Sequence, residues 1–88
     1  MKIKDGFIKT EIADKIVAIP VGMNAVDFSG VIVLNETAAF LWDLMQNDTD
    51  KQTLLNAVLN EYETDEESAL SDIDAFLQNL REKDFLCE

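Results

Sequence analysis

The chain has 88 residues, no histidine, one cysteine and a net charge of −11 at pH 7. This length predicts a single domain, residues 1–88, and the 48% apolar content indicates a globular chain with one small core. The missing histidine excludes Ser-His and Cys-His catalysis and any metal site that needs an imidazole ligand.

The sequence contains no sign of a membrane or secretory address. No apolar run approaches the roughly 18–20 residues of a membrane span, and the N-terminus lacks the long apolar stretch of a secretory signal. Cys87 has no second cysteine with which to form an internal disulfide, which fits a reducing compartment. We therefore expect a cytoplasmic protein with no membrane partner.

The negative charge is concentrated in the second half of the chain. Residues 1–44 carry 6 acids and 4 lysines, whereas residues 45–88 carry 12 acids and only 3 basic residues. Phosphate backbones are bound through Lys and Arg, which release counterions on binding. The charge pattern therefore argues against a nucleic-acid partner.

Two segments near the N-terminus alternate in polarity with period two, which predicts a β-hairpin. They are residues 7–12 and 16–21, and Asp14-Lys15 between them is interpreted as a short turn. Pro20 cannot donate a hydrogen bond to a neighbouring strand, so we expect it at a strand end or an unpaired edge.

A loop over Gly22 to Gly30 is expected to bring the chain to a third strand, Val31 to Leu34. Asn35 follows directly and is a good helix N-cap, so the strand is fixed against a helix with no linker. Both faces of this strand are apolar, and both must therefore be covered. The first and third helices can cover one face. The other face is left either to the domain itself or to a bound peptide, and composition alone does not separate these two alternatives.

Three helices are predicted after this strand. The first, residues 36–46, is apolar on most of its circumference and is expected to be the buried central helix. The second begins at Thr49 and the third at Thr64, where Gln52 and Glu67 complete capping boxes. The third helix is expected to end near Lys83.

Seven acids lie between Glu61 and Asp74 with no basic residue among them. They could form a cation site or a face for a basic partner, but acids in the first turn of a helix are also stabilised by the helix dipole. The surrounding sequence lacks the glycine and terminal glutamate of a calcium loop, so no metal is predicted. Trp42 and the phenylalanines are interpreted as core residues and not as a ligand platform.

The order of these segments resembles the PqqD family over nearly the whole chain. The resemblance is carried by Gly30-Val-Ile-Val-Leu-Asn-Glu-Thr-Ala38, Leu41-Trp-Asp-Leu44, Leu59-Asn-Glu-Tyr62, Asp72-Ile-Asp-Ala-Phe-Leu77 and the closing Phe85-Leu86. It implies an α+β, winged-helix-like fold with a three-stranded antiparallel sheet followed by three helices. It also implies a recognition element that holds a precursor's leader peptide as an added strand for a modifying enzyme, often a radical SAM enzyme.

The resemblance implies a peptide groove between the third strand and the third helix. One wall consists of Val31, Ile32, Val33 and Leu34. The best candidates for the other wall are Ala69, Asp72, Ile73 and Phe76.

The leading interpretation is thus a peptide-binding module that is not an enzyme and carries no cofactor or metal. Its expected partners are a leader peptide and a radical SAM or other peptide-modifying enzyme. The alternative is a winged-helix regulatory or scaffolding protein whose edge strand forms a homodimer.

Overall fold

The computed structural model of the protein describes residues 1–22 and 31–87. The predicted α+β architecture, a three-stranded antiparallel sheet followed by three helices, is confirmed. The loop predicted between Gly22 and Gly30 lies, apart from Gly22, outside the described residues. The elements are β1 (Lys2–Ile3), β2 (Phe7–Ile12), β3 (Lys15–Pro20), β4 (Ile32–Leu34), α1 (Glu36–Leu44), α2 (Lys51–Glu61), α3 (Glu66–Glu82) and β5 (Leu86–Cys87).

The main sheet has the strand order β2-β3-β4, and both neighbouring pairs are antiparallel. The hairpin turn consists of Ala13 and Asp14, which both have positive φ angles of 49° and 67°. A two-residue turn of this kind matches the right-handed twist of the strands it joins. The prediction that Asp14 and Lys15 form the turn was wrong by one residue, because Lys15 already pairs with Ile12. Pro20 is the last residue of β3, at a strand end as expected.

A second, two-stranded sheet joins the two ends of the chain. β1 pairs with β5 in antiparallel register, with Ile3 opposite Leu86. Next to this pair, the ring of Phe85 stacks on that of Phe7 with 3.9 Å between centroids, and the Lys4 N–H donates to the Phe85 carbonyl at 2.9 Å. The sequence predicted no strand here, because two residues are too few to show a periodic pattern.

The predicted cap of the first helix is confirmed. The side-chain oxygen of Asn35 accepts a hydrogen bond from the N–H of Ala38 at 2.8 Å. Asn35 therefore ends β4 and begins α1 in a single step, which fixes the direction in which the helix leaves the sheet.

The caps of the other two helices differ from the prediction by one residue. Asp50 caps α2 and Asp65 caps α3, and each accepts from the backbone N–H three residues later at 2.7 Å. These hydrogen bonds lower the pKa of both carboxyls. The predicted capping boxes at Thr49 and Thr64 were wrong, since an aspartate follows each threonine and aspartate is the stronger cap.

The three helices pack against one another, and their buried side chains form one core with Ala18, Ile32 and Leu34 of the sheet. The aromatic prediction is confirmed at Trp42, which is 2% exposed and meets the edge of Phe85 at 6.4 Å. The largest fully buried side chains are those of Trp42, Leu41, Met45, Leu54, Ile73, Leu77, Leu80 and Val58. No helix in the described ranges is long and apolar enough to cross a membrane.

Candidate functional site

The strand β4 presents different side chains to its two faces. Ile32 and Leu34 point into the core and are 3% and 4% exposed. Val33 points to the other face and is 59% exposed, and Val31, just before the strand, is 50% exposed. One apolar face of this strand is thus covered by the domain, while large apolar side chains remain exposed on the other.

The hydrogen bonds of the hairpin determine which way the backbone of β3 faces. The two-residue turn makes Ile12 and Lys15 a hydrogen-bonded pair, and further along the hairpin the Val21 N–H donates to the Gly6 carbonyl at 2.8 Å. Hydrogen-bonded pairs recur at every second residue of an antiparallel ladder. The odd-numbered residues of β3 therefore turn their N–H and C=O groups to β2, and the even-numbered residues turn theirs to β4.

The same alternation determines which backbone N–H and C=O groups of β4 do not bond to β3. Ile16 and Ala18 of β3 lie opposite Leu34 and Ile32, so these two residues of β4 bond to β3. The N–H and C=O groups of Val33 point the other way, to the open edge of the sheet. Within the described ranges, no strand lies beside this edge. Val33 therefore offers one backbone donor and one backbone acceptor to another chain.

A groove with a volume of about 210 Å³ runs along this edge. β4 forms one wall, the beginning of α1 forms the end, and α3 forms the opposite wall. The four residues from α3 follow the spacing i, i+3, i+4 and i+7, which places them on one stripe of the helix. The groove is lined by Ile32, Val33, Asn35, Thr37, Ala38, Leu41, Asp72, Ala75, Phe76 and Asn79.

The groove combines an apolar floor with a few polar groups at its rim. Leu41, Ile32 and Phe76 are 0%, 3% and 7% exposed, so they form a firmly packed floor. Asp72 is the one charged side chain of the lining, beside two amides and one hydroxyl. In the part of the chain that the structure describes, no group of three or more acidic, cysteine or histidine side chains is arranged to hold a metal ion. This arrangement is suited to holding an extended chain. The open backbone groups of the sheet edge can hydrogen-bond to such a chain, and the apolar floor can contact its side chains.

The structure places the eight residues predicted for the groove in three different environments. Ile32, Val33, Asp72 and Phe76 line the groove together. Leu34, Ala69 and Ile73 are buried in the core, and the last two have no exposed surface at all. Val31 is exposed beside β4 without contributing to the lining.

The sequence reasoning missed the other lining residues. Ala75 and Asn79 lie three and seven positions after Asp72, so extending the helical stripe from Asp72 would have found them. Thr37, Ala38 and Leu41 come from α1, and no sequence signal showed that the start of this helix closes the groove.

The fold and the groove together define a small winged-helix-like α+β protein with an open sheet edge. A family model described as coenzyme PQQ synthesis protein D (PqqD) matches residues 21–86, which is most of the chain. The chain therefore belongs to the PqqD family, and the resemblance identified in the sequence is confirmed.

A solved structure described as "TbiB1 in Complex with the TbiA(beta) Leader Peptide" is similar in fold, with a TM-score of 0.75. The match covers 98% of this chain and 94% of that chain at 23% sequence identity. No curated protein sequence gives a significant match.

Proposed function

We propose that this protein captures the leader peptide of a ribosomally made precursor as an added strand along β4. The protein itself carries out no reaction and presents the peptide to a modifying enzyme, of the radical SAM type or another peptide-modifying type. The observation that carries this proposal is the open backbone of Val33 beside an apolar groove. Membership of the PqqD family and the similarity in fold to a protein solved with a leader peptide support it.

Strand addition fits the geometry of the edge. A peptide residue opposite Val33 exchanges backbone hydrogen bonds with it in an antiparallel arrangement, and its side chain lies on the exposed face of the sheet. The peptide residues before and after it point to the opposite face, because side chains alternate along a strand. Those two side chains enter the groove and contact the apolar floor formed by Leu41 and Phe76.

The apolar floor is necessary on energetic grounds. Ordering about five peptide residues costs roughly 1–2 kcal/mol for each residue. The two backbone hydrogen bonds to Val33 return only roughly 0.5–1.5 kcal/mol each, since they replace hydrogen bonds to water. Two or three buried apolar side chains, at about 1.5–3 kcal/mol each, supply the difference. A peptide bound only through its backbone would dissociate.

Replacing Val33 tests the proposal directly. Val33→Pro removes the open N–H, so we expect it to weaken binding of the leader peptide encoded beside this gene by at least about tenfold. Val33→Ala keeps the backbone donor and is the matched control, with a much smaller loss. Isothermal titration calorimetry gives both affinities, after circular dichroism has shown that the variants are folded. Equal affinities for wild type and a folded Val33→Pro would contradict strand addition.

The exposed side chains of Val31 and Val33 also fit a second candidate, in which the open edge pairs with the same edge of a second copy. In that case light scattering during size-exclusion chromatography gives a dimer, Val33→Pro gives a monomer, and added leader peptide does not bind. A monomer that binds the peptide with 1:1 stoichiometry supports the first proposal and excludes the second.

A further inference from the structure

Asp72 is the acid of α3 that lines the groove, and its exposed carboxylate has no partner among the described residues. The other acids of the helix are placed differently. Glu66 and Glu67 lie in its first turn, where the dipole stabilises negative charge, Asp74 forms an ion pair with Lys51, and Glu82 accepts a hydrogen bond from Gln78. Asp72 lies beyond the first turn and makes no ion pair or hydrogen bond within the described part of the chain.

The surroundings of Asp72 on its own helix offer it no counter-charge. The positions three and four residues away, where a helical partner would lie, hold Ser68, Ala69, Ala75 and Phe76. No lysine or arginine lines the groove in the described ranges. The carboxylate therefore faces the groove unpaired, beside the apolar floor.

This placement predicts the chemistry of the occupant. A peptide lying against α3 covers Asp72 and removes part of its water. Without a partner, the covered carboxylate weakens binding, whereas a positively charged side chain offsets the lost hydration. The excess of acids in residues 45–88 also attracts a cationic segment and repels an anionic one.

Building on the proposed function, we propose that the groove selects peptides that carry a lysine or arginine next to the apolar anchor residues, and that Asp72 is the specificity-determining residue that binds this cation. This preference for a cationic residue depends on the carboxylate of Asp72, whereas strand addition depends on the backbone of Val33. The two can therefore be tested separately.

Selection from a phage-displayed library of random 12-residue peptides tests this inference. We expect the peptides retained by the wild type to be enriched in lysine or arginine at one position beside their apolar residues. Asp72→Asn removes the charge while keeping the shape, and its selected peptides lose this enrichment. Asp74→Asn, two residues away and outside the groove lining, makes the same change of charge and keeps the enrichment.

One selected peptide is then synthesised with its cationic residue intact and with glutamine in its place. The wild type is expected to bind the cationic form about two- to fivefold more tightly, which is the range for one partly exposed ion pair. Asp72→Asn is expected to lose most of this difference and to keep only the weak attraction of the remaining acids, and raising the salt concentration reduces the wild-type difference.

The outcomes separate the two proposals. If peptides are selected and bound but show no cationic preference, or if Asp72→Asn keeps that preference, the inference about Asp72 is wrong while the peptide-binding function stands. If the wild type retains no peptide above the level of Val33→Pro, the proposed function fails, and the inference fails with it.

Discussion

Ala75 and Ile73 lie two residues apart on α3 but occupy different environments. Ala75 is exposed and lines the groove, whereas Ile73 is fully buried in the core. A charge at position 73 would place an unpaired carboxylate in the core and unfold the protein. A charge at position 75 reaches the groove without disturbing the core. Ala75 is therefore the residue at which the groove can be blocked cleanly.

Ala75→Lys is expected to weaken leader-peptide binding by about tenfold, because its long side chain occupies the groove and its charge can pair with Asp72 three residues away. Ser71→Lys makes the same change of charge at an exposed position of α3 outside the groove lining, and it serves as the control. Calorimetric titration gives the affinities, and thermal melting is expected to show little change in either variant. If the two variants bind the peptide equally well, the peptide does not lie against α3.

At the scale of elements, the contact between the two ends of the chain holds the small sheet to the main one. Phe85 stacks on Phe7 at the start of β2, and its ring also meets Trp42 of α1. Its backbone N–H donates to the Leu80 carbonyl in α3, and its carbonyl accepts from Lys4. One residue thus connects the hairpin, the central helix and the end of the last helix.

Phe85→Ala is therefore expected to lower the free energy of unfolding by about 3–5 kcal/mol, as for other buried phenylalanines. Ile12→Ala is the control: Ile12 is 54% exposed, so we expect a loss below about 0.5 kcal/mol. Urea denaturation followed by circular dichroism measures both. A loss at Phe85 as small as that at Ile12 would show that the two ends are not joined in solution.

The elements that the sequence predicted well are those with a local cause. Alternation over six residues predicted both hairpin strands, and Asn35 marked the junction between β4 and α1. The pairing of β1 with β5 could not be predicted, because it joins residues over eighty positions apart through only two pairs. The predictions of the hairpin turn and of the two later N-caps were each wrong by one residue. In each case two adjacent residues could have formed the turn or capped the helix.

The groove was predictable only in part, for a similar reason. Periodicity identified which residues of α3 are apolar but not which apolar stripe faces the core and which faces β4. Ala69 and Ile73 lie on the stripe that faces the core. Phe76 lies between the two stripes, because it is buried and also forms part of the groove floor. That distinction depends on how α3 packs against α1 and β4, which no local pattern contains.

At the scale of the whole molecule, charge decides which large partners the protein can take. The winged-helix-like arrangement is shared with DNA-binding domains, but residues 45–88, which contain α2 and α3, carry 12 acids and only 3 basic residues. A recognition helix from this half would bring carboxylates toward phosphates.

We therefore expect no binding to duplex DNA at physiological salt. An electrophoretic mobility shift assay with micromolar protein and random-sequence duplex is expected to show no complex at about 150 mM salt. A known basic winged-helix protein serves as the positive control. A complex that forms at low salt and dissociates as salt is raised would overturn this expectation.

Binding of a peptide strand along β4 is best tested by amide hydrogen exchange at three adjacent residues. The N–H groups of Ile32 and Leu34 already bond to β3, whereas that of Val33 is open. NMR of the 15N-labelled protein with and without the leader peptide is predicted to show slow exchange at Ile32 and Leu34 in both states. Val33 is predicted to change from fast to slow exchange when the peptide binds, with cross-strand contacts from the peptide to its backbone. A peptide that binds while the Val33 N–H continues to exchange fast would contradict strand addition at β4.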